Sequence, residues 1–119
     1  MRIARDARKD FMLMSGDDML TVPIMAVGGV GVISVLANAY PALFQTMTKS
    51  SHSKDYKAAS QACFKLLEIN GMMYEEGNPA GVKFVLELMK VCKRFTRLPA
   101  APPSEGLQAR IRAAWKKIK

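Results

Sequence analysis

The stretch 11-FMLMSGDDMLTVPIMAVGGVGVISV-35 decides the fold of this chain. Its first part, 11–15, is a continuous apolar run that Gly16 closes, and continuous apolarity predicts a strand buried on both faces. A second run, 31–35, is rich in β-branched residues and predicts another short strand. The residues between the two runs have helical spacing. A strand, a helix and a strand in so short a stretch predict a βαβ unit with parallel strands.

The glycines of 28-GGVGVISVLAN-38 look like a phosphate-binding loop. A dinucleotide or P-loop fingerprint follows a strand and begins a helix, so that the helix N-terminus faces the phosphate. Here the order is reversed. Gly28 and Gly29 follow the last apolar position of the helix and predict its C-cap, and Gly31 leads into the second strand. We therefore expect no phosphate site at these glycines.

The helix between the strands is predicted over 17–29, with Asp17 or Asp18 capping its N-terminus and Pro23 near its start. Adjacent carboxylates also occur in acid–base and metal sites. Side chains of adjacent residues diverge, however, and no third ligand is spaced nearby. We therefore predict a capping role and no metal site.

Beyond Asn38 the apolar spacing is helical. The predicted segments are helices over 40–49 and 55–74, from Pro79 onward and after Ser104, with a polar hinge at 50–55 and a proline-bearing linker at 98–103. Asn78, Pro79 and Lys83 are assigned to a structural turn and its helix, and His52 to solvent. Two parallel strands do not make a complete sheet, so this pattern predicts part of a larger α/β fold.

The formal net charge of +8 raises the question of a nucleic-acid partner. The basic residues lie near both termini and around 90–97, without an interleaved aromatic platform, and we expect them on solvated helix faces. No apolar stretch approaches the roughly 20 residues of a membrane span, and no signal-peptide pattern is present. Cys63 and Cys92 lie in helix-like segments without C-x-x-C spacing, which predicts reduced, buried thiols. A cytoplasmic protein that binds neither membrane nor nucleic acid is the favoured interpretation.

Five motifs, in this order along the chain, resemble the dihydrodipicolinate synthase family. They are 15-SGDD-18, 31-GVISV-35 followed by 37-AN-38 and Pro41, 76-EGNPAGVK-83, 97-RLP-99 and 103-PSE-105. Together they cover nearly the whole chain from Phe11 onward. The resemblance implies a (β/α)8 TIM barrel followed by a helical C-terminal domain. Such barrels typically need about 250 residues. The chain is therefore similar to the C-terminal portion only, with strands seven and eight and their helices in 1–53 and the helical domain in 54–119.

The resemblance also implies a reaction. Family members condense pyruvate with aspartate semialdehyde in lysine (diaminopimelate) biosynthesis, and a lysine amine forms a Schiff base with pyruvate. They use no separate cofactor and are usually homotetramers. The Schiff-base lysine, the proton-shuttling tyrosine and the substrate-binding arginine all precede strand seven in the family. Lys9, in the charged run 5-RDARKD-10, is expected at the surface, so the chain alone is predicted to be inactive.

Three residues are implied at the pyruvate pocket, namely Gly16, Asp17 and Ile33. Gly16 stands at the carboxyl end of strand seven, where a missing side chain lets a ligand approach the backbone. The main chain at Ile33 contacts the pyruvate moiety in the family, and Asp17 lies near the mouth of the site. From the residues alone, Ile33 packs the barrel and Gly16 turns the chain.

Other functions stay open on the sequence. A related pyruvate-dependent aldolase, such as N-acetylneuraminate lyase, shares the superfamily, although 31-GVISV-35 and 15-SGDD-18 look more like the synthase. A non-catalytic helical interaction module is a second alternative, and a basic nucleic-acid binder is a weaker third.

Overall fold

The structure, a computed structural model, describes residues 1–118. It divides into two compact units, Met1–Phe64 and Lys65–Lys119. The first unit contains, in chain order, α1 (Arg2–Asp6), β1 (Met14–Ser15), α2 (Thr21–Ala26), β2 (Gly31–Val32), a 3-10 turn (Leu36–Asn38), α3 (Pro41–His52) and α4 (Tyr56–Phe64). Within residues 1–118, each helix is too short or too polar to cross a lipid bilayer.

Strands β1 and β2 are parallel, with Met14 opposite Gly31 and Ser15 opposite Val32. The N–H of Val30 donates to the carbonyl of Leu13, and the N–H of Ile33 donates to the carbonyl of Ser15, both at 2.8 Å. Helix α2 lies between the strands in the chain. The predicted βαβ unit with parallel strands is therefore confirmed.

The strands are shorter and more exposed than the apolar runs 11–15 and 31–35 predict. Phe11 is 58% exposed and Met12 is 74% exposed. The prediction of a strand buried on both faces is wrong for β1, because among the described residues β1 and β2 pair only with each other. A strand with one partner strand leaves much of its apolar surface uncovered.

Helix α2 is shorter than the predicted 17–29, but its end follows the prediction. Gly28 has φ +102°, and the N–H of Gly29 donates to the carbonyl of Ile24 at 2.9 Å. This bond and the left-handed residue before it form a Schellman-type C-cap. A Cβ on Gly29 would lie 2.6 Å from Cγ2 of Ile24, which explains the second glycine. The two glycines end a helix.

Helix α3 continues through residues 50–52, which were predicted as part of a polar hinge. Ser51 is buried at 4% exposure, whereas His52 is exposed, as predicted. The chain reverses at Lys54, whose φ is +64°, and the N–H of Asp55 donates to the carbonyl of Ser50 at 2.8 Å. The hinge is therefore confined to the residues after His52.

Helices α3 and α4 pack against each other in the first unit, so the compact units divide at 64/65. The predicted domain boundary between 53 and 54 refers to the family fold and stays a prediction. The core of this unit is apolar and includes Met25, Leu36, Phe44, Met47, Ala59 and Cys63. The predicted burial of the Cys63 thiol is confirmed here.

The second unit contains α5 (Leu67–Asn70), a 3-10 turn (Gly71–Met73), α6 (Ala80–Leu88) and α7 (Glu105–Ile118). The predicted continuous helix over 55–74 is wrong, because the chain turns at 65–66. Leu67, just after this turn, is 50% exposed. The turn buries Leu66, Ile69 and Met73 completely instead.

Helix α7 begins as predicted. The hydroxyl of Ser104 accepts a hydrogen bond from the N–H of Leu107 at 3.3 Å, which is the N-cap arrangement. Leu107 and Ile111 are buried, together with Phe84 of α6. Cys92 is exposed and follows the end of α6, so its predicted burial in a helix is wrong.

Candidate functional site

The carboxyl ends of β1 and β2 bring Gly16, Asp17 and Ile33 to one edge of the parallel pair. The hydrogen bond from the N–H of Ile33 to the carbonyl of Ser15 holds the two chain ends side by side. Parallel strands end at the same edge, and ligand sites of α/β folds form there. The residues implied by the family resemblance are therefore neighbours in the first unit.

Gly16 is open to its surroundings. A Cβ at this position would meet no atom of the described residues within 4 Å, and the φ of Gly16 lies outside the left-handed region. Neither the packing of residues 1–118 nor the local backbone requires a glycine here. The absence of a side chain leaves the backbone at the end of β1 accessible.

Asp17 shapes the turn that follows β1. Its Oδ1 accepts hydrogen bonds from the N–H groups of Met19 at 2.8 Å and Leu20 at 3.1 Å. The hydroxyl of Ser15 donates to the carbonyl of Asp17 at 2.7 Å and accepts from its N–H at 3.1 Å. Asp17 therefore satisfies backbone donors in the turn before α2 but does not cap the helix, whose N-cap is Leu20, so its predicted capping role is wrong. Its carboxylate stays exposed.

Asp18 has a role that the sequence did not indicate. Its side chain is 1% exposed, and its Oδ2 accepts a hydrogen bond from the N–H of Leu36 at 2.8 Å. This bond ties the end of β1 to the 3-10 turn beyond β2. Asp18 therefore does not cap α2, because its carboxylate points to a partner eighteen residues further along the chain. The sequence shows that two acidic residues are adjacent, but it does not indicate that Asp18 bonds to Leu36.

Ile33 projects away from the core, with 70% of its surface exposed. The described residues therefore do not cover the Ile33 side chain as the interior of a barrel would. The next turn is held locally, because the Ser34 hydroxyl accepts from the N–H of Ala37 at 2.8 Å and the Asn38 amide donates to the carbonyl of Val35 at 2.9 Å. These bonds fix the backbone immediately after Ile33.

The one thiol near this edge is not set up as a nucleophile. Burial raises the pKa of Cys63, and the negative charges of Asp17 and Asp18 raise it further. A thiol must ionise to react, so a raised pKa keeps it inert. The Cys63 thiol donates a weak hydrogen bond to the sulfur of Met19 at 3.9 Å.

The described lysines are all exposed or half-buried, and Lys9 is exposed as predicted.

Tyr40 is buried, and its hydroxyl has no hydrogen-bond partner among residues 1–118. Burial raises the pKa of this hydroxyl to about 12. Over the same residues, no group of three or more His, Cys, Asp or Glu side chains is placed to hold a metal ion.

Comparison with known proteins identifies the family. A sequence model described as the Dihydrodipicolinate synthetase family matches residues 1–118. The chain belongs to this family. The 4-hydroxy-tetrahydrodipicolinate synthase of Cytophaga hutchinsonii is 43% identical over 118 residues, which cover 99% of this chain and 40% of that protein. The same enzyme of Geobacter sulfurreducens is 41% identical over 104 residues, covering 87% of this chain and 36% of the relative.

Solved structures of the dihydrodipicolinate synthase family agree. The enzyme from Aquifex aeolicus superposes with a TM-score of 0.91 at 30% identity, over 98% of this chain and 40% of that one. The enzyme from Thermotoga maritima gives a TM-score of 0.90 at 32% identity, over 96% of this chain and 39% of that one. The chain shares their α/β fold and spans about two fifths of the length of the relatives it matches. The family resemblance of the motifs is confirmed.

Proposed function

We propose that this chain supplies the last two βα units of a (β/α)8 barrel and the helical C-terminal domain of a 4-hydroxy-tetrahydrodipicolinate synthase. That enzyme is a lyase that condenses pyruvate with aspartate semialdehyde in lysine and diaminopimelate biosynthesis. The family match over 1–118 supports the assignment, as does the share of the relatives' length. The exposed apolar side chains of Phe11 and Met12 are the surface that further barrel strands would cover.

The observation that carries the proposal is the open glycine at the carboxyl edge of β1. Nothing in the described chain requires Gly16 to lack a side chain. A pocket that admits a small keto acid against the backbone does require it. In the assembled barrel, Gly16 and the main chain of Ile33 form part of the pyruvate pocket's wall, and Asp17 stands at its mouth with its carboxylate exposed.

The Schiff-base step needs an amine that is unprotonated near neutral pH. Burial in an apolar site is what lowers a lysine pKa far enough. No lysine among residues 1–118 is buried. We therefore assign the imine-forming lysine to the part of the barrel that this chain does not supply, and we propose that the chain alone is inactive. The active form is proposed to be a cytoplasmic homotetramer that uses no separate cofactor.

A chimera tests the proposal. The matching C-terminal two fifths of the Cytophaga hutchinsonii enzyme is replaced by this chain, and condensation of pyruvate with aspartate semialdehyde is measured. We expect an active enzyme. Gly16→Leu should raise the KM for pyruvate about tenfold or more, because the side chain fills the pocket. Gly106→Leu is the matched control, since a Cβ at Gly106 in α7 also meets no atom within 4 Å.

Two results would contradict the proposal. One is a folded, tetrameric chimera without activity, which would favour a non-catalytic helical module. The other is a Gly16→Leu enzyme whose KM for pyruvate equals that of the Gly106→Leu enzyme.

A further inference from the structure

A cavity lies at the end of the parallel strands opposite Gly16. It has a volume of about 330 Å³ and is bordered by Gly28 and Gly29, which precede β2, and by the C-terminal part of α3. Ligand pockets in proteins begin at about this size. Because Gly16 follows β1 whereas these glycines precede β2, the cavity is separate from the proposed pyruvate pocket.

Ser51 gives the cavity an unsatisfied hydrogen-bonding group. The residue is 4% exposed and lines the cavity, and its hydroxyl has no partner among residues 1–118. A serine late in a helix commonly donates to the carbonyl four residues earlier. Burying a hydroxyl without a partner is costly, and native proteins largely avoid it. A ligand in the cavity would supply the missing partner.

The other polar groups of the cavity are donors. They are His52, Lys54 and Tyr56, and no hydrogen bond or ion pair within the described chain engages their side chains. The neighbouring acidic residue, Asp55, does not line the cavity, because its carboxylate accepts the N–H of Ala58 at 3.0 Å to cap α4. The lining thus combines a full positive charge with hydroxyl and imidazole groups and includes no carboxylate.

Lys54 occupies a backbone position that favours glycine. Its φ is +64°, and it stands at the turn where the N–H of Asp55 donates to the carbonyl of Ser50. Glycine is the usual residue in this part of a helix C-cap, because a Cβ is disfavoured there. A lysine at this position therefore has a conformational cost that a glycine would not have. An electrostatic role in the adjacent cavity gives a reason for it.

We propose that this cavity binds a small organic carboxylate. The ammonium group of Lys54 pairs with the carboxylate, the hydroxyl of Ser51 donates to it, and Met25 and Val30 contact the aliphatic part of the ligand. The apolar wall is what favours an organic acid over inorganic phosphate. The site is independent of the proposed reaction, because it lies at the opposite end of the strands from Gly16.

Equilibrium dialysis with radiolabelled glutarate tests the proposal on the full chain. We expect saturable binding with a Kd of about 1 mM or lower, and binding of inorganic phosphate at least about fivefold weaker. Ser51→Ala should weaken glutarate binding about fivefold to tenfold, and Lys54→Gly about tenfold or more. Lys57→Ala, which removes the same charge from an exposed position outside the cavity, should change it less than about twofold.

Stability distinguishes a binding role from a structural one. Ser51→Ala removes an unpartnered hydroxyl and Lys54→Gly relieves a left-handed residue, so both variants should unfold at an equal or higher temperature than the wild type. A second measurement uses the wild-type chain. Glutarate should slow the acylation of Lys54 by an amine-reactive ester but should not slow that of Lys57, and mass spectrometry measures both rates.

Absence of saturable glutarate binding would overturn the proposal. So would Ser51→Ala and Lys54→Gly variants that bind as tightly as Lys57→Ala, which would leave Lys54 only as a charge at the end of α3. Phosphate binding as tight as glutarate binding would contradict the assignment to an organic carboxylate.

Discussion

The carboxylate of Asp18 accepts a hydrogen bond from the backbone N–H of Leu36, with 2.8 Å between Oδ2 and the nitrogen. Both residues are at most 1% exposed. The bond spans the βαβ unit and joins the segment after β1 to the turn after β2. The relative position of Gly16 and Ile33 therefore depends on it.

Asp18→Ala should lower the free energy of unfolding by about 2 kcal/mol, because it leaves the buried N–H of Leu36 without an acceptor. Asp18→Asn keeps an acceptor and should cost less than half as much. Urea unfolding followed by circular dichroism measures both values. Equal stability of the wild type and Asp18→Ala would show that the bond does not hold this edge together.

The buried hydroxyl of Tyr40 should make the free energy of unfolding depend on pH in the alkaline range. Burial raises the pKa of its hydroxyl to about 12, above the ordinary value of 10.0. The folded state thus favours the protonated phenol. The stability that this contributes is complete below pH about 10 and is lost as the pH rises through about 12.

The Tyr40→Phe variant should not lose this stability at alkaline pH. At neutral pH the variant should be as stable as the wild type or more so, because the buried hydroxyl has no hydrogen-bond partner in the described chain. Urea unfolding at about pH 8 and about pH 11 measures the difference. A neutral-pH destabilisation of more than about 1 kcal/mol would mean that the hydroxyl has a partner after all.

The carboxylate of Glu76 should make the stability of the fold depend on pH in the acid range. Hydrogen bonds from the hydroxyl of Ser104, at 2.5 Å, and from its N–H, at 2.6 Å, lower the pKa of the Glu76 carboxyl, and the charge of Arg110 contributes. A lowered pKa in the folded state means that the stabilisation is present above the unfolded value of about 4.3. It is lost as the pH falls through the folded pKa.

Thermal unfolding between neutral and acid pH tests this. Glu76→Gln should flatten the acid part of the stability curve, and Ser104→Ala should flatten it too while costing about 1 kcal/mol through the lost N-cap. The control is Glu75→Gln, which removes an exposed carboxylate paired with Arg110. If Glu75→Gln flattens the curve as much as Glu76→Gln, the contact with Ser104 is not the cause.

The features that sequence reasoning predicted correctly are local. The left-handed Gly28 at the end of α2 and Ser104 at the start of α7 each follow from the chemistry of one residue and its immediate neighbours. The parallel pairing followed from two apolar runs and the short connection between them. Such features depend little on what the rest of the chain does.

The features that it missed depend on distant residues. Nothing near Asp18 in the sequence indicates that its acceptor serves Leu36, and the turn at 65–66 follows from which of Leu66 and Leu67 the core accommodates. The exposure of Phe11 and Met12 reflects the number of strands that flank β1, which a local apolar run does not encode. The burial of Ser51 likewise depends on the extension of α3 to His52, which the polar sequence 50–55 does not indicate.

The most direct measurement of the central claim is trapping of a pyruvate imine on this chain. The chain is incubated with pyruvate, reduced with borohydride and weighed by mass spectrometry, with the full-length Cytophaga hutchinsonii relative as the positive control. We predict a pyruvate adduct on the relative and no mass increase on this chain, because no described lysine lies in the buried, apolar surroundings that Schiff-base formation needs. A pyruvate adduct on any lysine of this chain would contradict the account.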